Sequence, residues 1–163
     1  MRSTRLDSAG DDAVLRRSIE LELDSAAVRT RVGQDIDWID DSRIYDPDRP
    51  ETWLLDDNGN QPPNPSKNPD YLVDGEFHDV KSPTTNNPRN ALENSLETSV
   101  QAGQAQNLDI NLGRSDVTTA DLERVLDEIL TDDFGGIPVR FRWRVLLHGA
   151  RRVGFPCRVD FGN

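Results

Sequence analysis

The stretch from residue 69 to 90, which reads PDYLVDGEFHDVKSPTTNNPRN, constrains the fold more than any other part of the chain. Two alternating runs, 71–73 and 76–80, flank the dipeptide Asp74-Gly75. Asp-Gly between alternating runs favours a tight β-hairpin, because both residues tolerate the left-handed backbone of such a turn. A polar loop follows, and Pro88 is typical of the first position of a helix. The sequence therefore predicts a hairpin, a polar loop and a helix in immediate succession.

Apolar residues at helical or alternating intervals mark the other elements. Their order predicts an α+β domain with a mostly antiparallel sheet. We expect its helices to pack on one face and the other face to be free for a ligand. The predicted elements outside the hairpin are a helix at 12–32, a short strand near 36–39, a helix from 88 to 102 with Asn87 as its cap, a strand at 108–112 with one buried face, a helix at 121–130, and strands at 139–145 and 153–161.

The length of 163 residues suits one domain. We expect residues 1–68 to form its lead-in, with a helix, a short strand and a long acidic, proline-rich loop. Residues 69–163 would form the core. The loop at 40–68 holds five prolines, and within it Trp53-Leu54-Leu55 is the one segment expected to pack. A loop of this length in a small domain is typical of a lid or an insertion.

The sequence contains no apolar run long enough to span a membrane and no signal-peptide pattern. We therefore expect no membrane anchor in this chain, and any export would depend on a larger parent protein or another route. The single cysteine, Cys157, excludes an internal disulfide and a zinc cluster of cysteines.

The net charge of −11 by itself argues against a nucleic-acid partner. The charge is uneven, however, because residues 136–163 hold six arginines and one aspartate, a balance of +5. Such a segment can attract a polyanion, whereas arginines that alternate along a strand can equally form its solvent-exposed face. If the segment binds RNA, the residues expected to contact the backbone are Arg140, Arg142, Arg144 and Arg151.

The central stretch also matches the letters of the PD-(D/E)xK nuclease signature, with Pro69-Asp70 followed by Asp79-Val80-Lys81. In that chemistry two acids hold Mg²⁺ and the lysine orients or activates water. Asp79 and Lys81 would face the same side of a strand, as the chemistry requires. A plain ion pair between Asp70 and Lys81 at the mouth of the hairpin is the alternative explanation.

A second hypothesis needs no metal. RNA is cleaved by its own 2′-hydroxyl group when a protein supplies a base, an acid and a cation for the phosphorane. Lys81, Arg89 and one of the histidines, His78 or His148, carry suitable groups. His78 alternates with Phe77, so it faces the other side of the sheet if Phe77 faces the core. The residues expected to hold phosphate or base edges are Ser82, Thr84, Thr85, Asn86 and Asn90.

The order of these motifs resembles that of a known family. The stretch 69–90 is followed by a helix, by Gly103-Gln104-Ala105 and by the strand Leu108-Asp-Ile-Asn-Leu112. This order is similar to that in the C-terminal toxin domains of contact-dependent growth inhibition and other polymorphic toxin systems. The similar group cleaves tRNA and has a barnase/EndoU/colicin/RelE-like fold.

The resemblance implies that the chain is secreted or delivered as part of a larger toxin and acts in the cytoplasm of a target cell. It also implies a cognate immunity protein that blocks the site. Carried over by position, it implies an active face lined by Asp79, Ser82, Thr84, Arg89 and Asn90, whereas Lys81 lies where relatives vary.

We therefore expect a ribonuclease toxin domain that cleaves RNA, with tRNA as its substrate, by metal-independent transesterification and without a cofactor. Two alternatives remain open. One is a PD-(D/E)xK-type DNase with Mg²⁺ held by Asp70 and Asp79, and the other is a non-catalytic module that binds a protein. The expected catalytic set is Asp79, Lys81, Ser82, Thr84, Arg89, Asn90 and His78, and the expected RNA-binding set is Thr85, Asn86, Arg140, Arg142, Arg144 and Arg151.

Overall fold

The computed structural model describes residues 10–39, 45–105, 107–131 and 144–148. In this part of the chain, helices and strands follow one another in nearly the predicted order. The elements are α1 (Ala13–Arg31), β1 (Ile36–Trp38), β2 (Tyr71–Val73), β3 (Glu76–Lys81), α2 (Pro88–Leu96), β4 (Asn107–Asn111), α3 (Thr119–Thr131) and β5 (Arg144–His148), with a 3-10 helix at Pro50–Thr52 and a π-helical turn at Glu97–Gln101.

The central hairpin forms as the sequence predicts. β2 and β3 pair antiparallel, and the turn residues Asp74 and Gly75 have positive φ angles of 49° and 78°. A two-residue hairpin turn demands such angles, which is why Asp-Gly suits it. After β3, the Asn87 side chain accepts a hydrogen bond from the Asn90 backbone N–H, and Pro88 begins α2. The predicted start of this helix is therefore confirmed.

The sheet is mixed, which corrects the expectation of a mostly antiparallel one. Its order is β1-β2-β3-β4-β5. β1 and β3 run antiparallel to β2, whereas β3 pairs parallel with β4 and β4 pairs parallel with β5. The cause is the connection, because α2 lies between β3 and β4 in the chain and α3 lies between β4 and β5. A helical crossover brings the next strand back in the same direction. The α+β class is confirmed.

Helices cover both faces of the sheet, which corrects the expectation that they pack on one. Ala26 of α1 packs on the face that carries Tyr71 and Val80. α2 and α3 pack on the opposite face, against Leu108 and Ile110 of β4. Because successive strand residues point to opposite faces, the sheet is the middle layer between α1 and the α2–α3 pair.

β4 is buried on both faces, although its alternating pattern predicted only one buried face. All five of its residues are buried. Asn111 Nδ2 donates a hydrogen bond to the Leu21 carbonyl of α1 at 2.9 Å, and Asp109 forms an ion pair with Arg29 of α1. Central parallel strands are normally covered on both sides. The pattern could not distinguish polar residues that meet a helix from polar residues that meet water.

The long loop covers the remaining part of the second face. Leu54 packs with Phe77 and Leu72, whereas Trp53 and Leu55 are 38% and 47% exposed. The predicted packing of Trp53-Leu54-Leu55 is therefore confirmed for Leu54. Within the described residues, no whole face of the sheet is left free for a ligand.

Two glycines lie against the backbone of this loop. The Asp57 N–H donates a hydrogen bond to the Gly75 carbonyl at 3.1 Å, and the Asn64 N–H donates one to the Gly103 carbonyl at 2.8 Å. Gly103 has a φ of 72°, and a Cβ atom there would lie 2.8 Å from the Cβ of Asn64. Both the backbone angle and the close approach therefore require glycine at residue 103.

Two predicted strands lie largely outside the described residues. β5 overlaps the predicted strand at 139–145 only at residues 144 and 145, and the strand at 153–161 is not described. Among the helices that are described, each is too short or too polar to cross a membrane.

We expect Gly103→Ala to destabilise the fold more than Gly59→Ala does. Both glycines have a positive φ, 72° and 79°, which costs a non-glycine residue about 1–2 kcal/mol. A Cβ atom at Gly59 meets open space, but one at Gly103 meets Asn64. Overpacking of this kind costs about 1–3 kcal/mol more. Urea unfolding of both variants measures the difference, and equal losses would contradict close packing of the loop on Gly103.

Candidate functional site

Three residues of the predicted site meet at the C-terminal end of β3. Asp70 directly precedes β2 and extends the ladder, because its N–H donates to the His78 carbonyl at 2.9 Å. The Val80 N–H donates to Asp70 Oδ2 at 2.6 Å. Lys81 Nζ lies 2.5 Å from Asp79 Oδ2. The structure thus brings two acids and one lysine together, as the PD-(D/E)xK letters suggested.

Asp70 and Asp79 place two carboxyl groups close together at the C-terminal end of β3, where ionisation of both is unfavourable. Asp79 is fully buried, and its Oδ1 atom has no hydrogen-bond partner among the described residues. Burial, then the negative charge of Asp79 and that of Glu22, raise the pKa of Asp70 well above its usual range. Asp70 therefore holds a proton more tightly than an ordinary aspartate, unless a cation compensates for the charge. Such perturbed acids are concentrated at functional sites.

Lys81 connects the acids to the end of the long loop. Its side chain is 24% exposed, so the site reaches the protein surface. Besides Asp79, its Nζ lies 3.4 Å from Gln104 Oε1, and Gln104 Nε2 donates to the Asn68 carbonyl at 2.9 Å. In the sequence, Gln104 is distinguished only as part of the motif Gly103-Gln104-Ala105. Its one signal was its position directly after a helix-ending glycine, which indicates structure rather than chemistry.

The acid pair fits a hard divalent cation such as Mg²⁺. Mg²⁺ prefers oxygen ligands and is commonly held by one or two carboxylates together with water and substrate phosphates. Asp70 and Asp79 supply two carboxylates. The described residues contain no group of three or more histidine, cysteine, aspartate or glutamate side chains suited to a metal. A cation would therefore depend on these two acids, with water or substrate oxygens as its other ligands.

The polar loop between β3 and α2 contacts the turn before α3. Ser115 Oγ donates a hydrogen bond to the Thr85 carbonyl at 2.5 Å. Asn86 Nδ2 donates to Asp116 Oδ2 at 3.3 Å, and the Asp116 N–H donates to Asn86 Oδ1 at 3.1 Å. The Asn86 amide, predicted to bind RNA, is therefore hydrogen bonded within the protein. Of the other predicted loop residues, Thr84 is exposed, and Ser82 and Thr85 are partly buried.

Arg89 and Asn90 lie at the start of α2. Arg89 contacts Glu93 and Glu128 at 3.2 Å each. These partly exposed ion pairs connect α2 to α3, and pairs of this kind contribute little stability. Asn90 is exposed, and its N–H donates to the Asn87 cap. The described contacts of both residues thus belong to the helix surface rather than to the acid pair.

His78 lies on the α1 face of the sheet, opposite the side of Asp79, as its alternation with Phe77 predicts. It is 1% exposed, and its ring stacks on Tyr71 with the centroids 6.1 Å apart. Its Nδ1 lies 3.4 Å from Asp109 Oδ1. Tyr71 Oη and Arg29 Nε donate to Asp109 Oδ2 at 2.5 Å and 3.2 Å. These four residues, Arg29, Tyr71, His78 and Asp109, form what we call the buried polar cluster.

The buried polar cluster compensates its own charges. Burial would raise the pKa of Asp109, but His78 and Arg29 outweigh it and hold that pKa well below its usual range. Burial and the charge of Asp109 raise the pKa of Tyr71 well above its usual range, so the phenol keeps its proton. Asp109 thus stays ionised and paired beneath α1. This arrangement does not bring His78 onto one surface with Lys81.

The predicted basic RNA-binding segment is mostly outside the described residues. Arg140, Arg142 and Arg151 are not described, and Arg144 is the first residue of β5. Their role in RNA binding stays a prediction. His148, the other histidine of the metal-independent hypothesis, is the last residue of β5.

Known proteins resemble this chain in sequence and in fold. Residues 67–133 match the family model of the contact-dependent growth inhibition CdiA C-terminal domain. The tRNA nuclease CdiA-2 of Burkholderia pseudomallei (strain 1026b) is 33% identical over 73 residues, which are 45% of this chain and 2% of that protein. The chain therefore spans a small part of the curated relative that it matches.

A solved structure supports the same relationship. A chain of the CdiA-CT/CdiI toxin and immunity complex from Burkholderia pseudomallei superposes with a TM-score of 0.54 and 25% sequence identity. The alignment covers 84% of this chain and 81% of that chain, so it extends beyond the segment that matches the family model.

We expect Asp70→Asn to stabilise the protein at neutral pH. Because folding raises the pKa of Asp70, the folded state binds a proton that the unfolded chain releases above about pH 4, and stability declines as the pH rises from there. Asparagine keeps an oxygen for the Val80 N–H and carries no charge, so the variant should lose this decline.

Urea unfolding between pH 4 and pH 8 measures this effect, with the exposed Asp24→Asn as the matched control. The gain in the free energy of unfolding should be largest at pH 8 and should shrink towards pH 4. A variant that is less stable than the wild type at pH 8 would contradict a raised pKa at Asp70.

Proposed function

We propose that the chain, whose residues 67–133 match the CdiA C-terminal domain of contact-dependent growth inhibition, is a toxin nuclease that cleaves RNA inside a target cell, with tRNA as its substrate. The family match and the structural relative support the resemblance of residues 69–112 to such toxin domains. The relative's name, tRNA nuclease, supports the activity and the substrate. This chain covers 2% of that protein, so both are proposals here.

The proposal rests on one observation, namely that Asp70, Asp79 and Lys81 lie close together at the C-terminal end of β3, where the side chain of Lys81 reaches the surface. The hairpin pairs Asp70 with β3, the strand that carries Asp79. Lys81 lies two residues after Asp79 on β3, so both side chains lie on the same side of the strand. This is the residue set that metal-dependent phosphodiester cleavage uses. We therefore propose a metal-dependent mechanism in place of the metal-independent one expected from the sequence.

In this mechanism Asp70 and Asp79 would hold a divalent cation, whose positive charge would compensate for the two neighbouring carboxylates. When bound, the cation supplies a Lewis acid and a water molecule of lowered pKa. Lys81 donates a hydrogen bond to a phosphate oxygen and stabilises the negative charge that develops on phosphorus-bound oxygens. Asp79 holds the lysine close, because the two groups form an ion pair.

Metal-independent transesterification has less support from the geometry. It needs a base and an acid on either side of one phosphate, within hydrogen-bond reach of the reacting oxygens. His78 belongs to the buried polar cluster beneath α1, and Arg89 contacts two glutamates on the surface of α2 and α3. Asp79 and Lys81 belong to the expected residue sets of both mechanisms.

We also propose three features of how the domain acts in its biological setting. The domain is delivered into a target cell as part of a larger toxin, as its family implies. A cognate immunity protein binds it, which the complex of the structural relative supports. The arginine-rich segment at 136–163 supplies a positive charge for the RNA backbone on an otherwise acidic chain.

Incubation with tRNA and with plasmid DNA, each with and without EDTA, tests the function. We expect cuts in tRNA that EDTA abolishes and added Mg²⁺ restores. Cuts that survive EDTA and leave 2′,3′-cyclic phosphate ends would instead support metal-independent transesterification. Cleavage of plasmid alone would indicate a DNase, and no cleavage of either nucleic acid would favour a binding module.

Single substitutions distinguish the residues of the proposed metal-dependent site from Arg89, which belongs to the metal-independent hypothesis alone. We expect Asp79→Asn and Lys81→Gln each to lower kcat/KM on tRNA by more than about 100-fold, since even outer-shell residues of metal sites contribute about 10–100-fold. Arg89→Gln is the matched control from the other set and should change kcat/KM little. Thermal unfolding of each variant verifies the fold. A large loss in Arg89→Gln with full activity in Asp79→Asn would contradict the assignment.

A further inference from the structure

We infer that Gln104 is a positioning residue that holds the Lys81 side chain and connects it to the end of the long loop. The inference rests on the proposed function only in that Lys81 serves the reaction. Its structural part stands on two contacts of one amide group. The oxygen of Gln104 faces Lys81 Nζ at 3.4 Å, and its nitrogen donates to the Asn68 carbonyl at 2.9 Å.

The orientation of this amide group follows from its neighbours. The Asn68 carbonyl can only accept a hydrogen bond, so it requires the Nε2 atom of Gln104. The ammonium group of Lys81 can only donate, so it requires the Oε1 atom. Each contact therefore enforces the other. In a flipped amide, the nitrogen of Gln104 would face the Lys81 ammonium group, which is also a donor. The oxygen of Gln104 would face the Asn68 carbonyl, which is also an acceptor.

The backbone of Gln104 is held on both sides as well. Its N–H donates to the Ser99 carbonyl at 2.7 Å, which ends the π-helical turn. The preceding Gly103 accepts a hydrogen bond from the Asn64 N–H and has no room for a side chain. The side chain of Gln104 therefore extends from a fixed point toward Lys81. The loop residues Asn64 and Asn68 contact this segment directly.

Lysine needs such a contact because its side chain is flexible. The four-carbon stem carries about 2 kcal/mol of rotamer entropy, and the ammonium group has no preferred plane. Asp79 alone would hold Nζ against the buried acid pair. Gln104 provides a second acceptor for the ammonium group, which restricts its position. The exposed part of Lys81 is then directed consistently toward a substrate phosphate.

The test uses the small number of lysines in the chain. Lys67 and Lys81 are its two lysines, so labelling lysine at Cε gives two NMR signals, with the exposed Lys67 as an internal reference. Gln104→Met removes both amide contacts, whereas Gln104→Glu keeps an oxygen acceptor for Lys81. Gln34→Met is the matched control, since Gln34 contacts Asp74 at the hairpin turn and Arg29 of the buried polar cluster, and neither of these is a described contact of Lys81.

We expect Gln104→Met to raise the mobility of Lys81 toward that of Lys67 and to lower kcat on tRNA by about 10–100-fold, with KM nearly unchanged. Gln104→Glu should keep Lys81 ordered and lose less than about tenfold in kcat, so that the conservative variant rescues the effect. Gln34→Met should alter neither quantity. If Gln104→Met does not fold, Gln104→Asn, which is too short to make both contacts, replaces it.

Unchanged mobility of Lys81 in Gln104→Met would overturn the inference, whatever happens to activity. A rise in KM at constant kcat would also overturn it, because it would mean that Gln104 contacts RNA itself. If the wild-type protein cleaves no RNA, the proposed function fails, and the mobility of Lys81 in the variants still decides whether Gln104 positions it.

Discussion

The buried ion pair between Arg29 and Asp109 is the contact on which the layered structure depends. It joins α1 to the interior strand β4, and Tyr71 and His78 complete the hydrogen bonding around the carboxylate. Both charges are removed from water, so loss of either partner would leave an uncompensated buried charge, which commonly costs about 3–5 kcal/mol. Without α1, one face of the sheet would be exposed, and Tyr71 and Val80 would lose their cover.

β3 serves structure on one face and chemistry on the other. His78 and Val80 point toward α1, whereas Asp79 and Lys81 belong to the opposite face. The separation of the two faces matters because a buried polar group must be hydrogen bonded. A functional site, in contrast, needs polar groups that are still able to bind a ligand. On the face towards α1, Asp109 and Arg29 supply hydrogen-bond partners for the buried His78. The second face leaves Asp79 Oδ1 without a partner among the described residues, and it raises the pKa of Asp70.

Several site residues could be read from the sequence, and others could not. Asp70, Asp79 and Lys81 were accessible because a tight hairpin sets their register within a few residues. Gln104 was not, since it meets Lys81 across 23 residues of helix and turn. The alternating pattern of β4 predicted that Asp109 lies on the exposed face of the strand. Asp109 is instead fully buried against Arg29, which is 80 residues away in the chain. Alternation gives the side of a strand but not what covers it.

The sequence by itself determined the hairpin, the start of α2 and the approximate limits of the helices. These depend on local backbone energies: positive φ at Asp74-Gly75, a cap at Asn87 and apolar spacing along each helix. The tertiary structure alone decided the parallel pairing of β4, the placement of α1 opposite α2 and α3, and the packing of the long loop on Gly103. The physical reason is that these features arise from contacts between segments far apart in the chain, whose free energy no local pattern encodes.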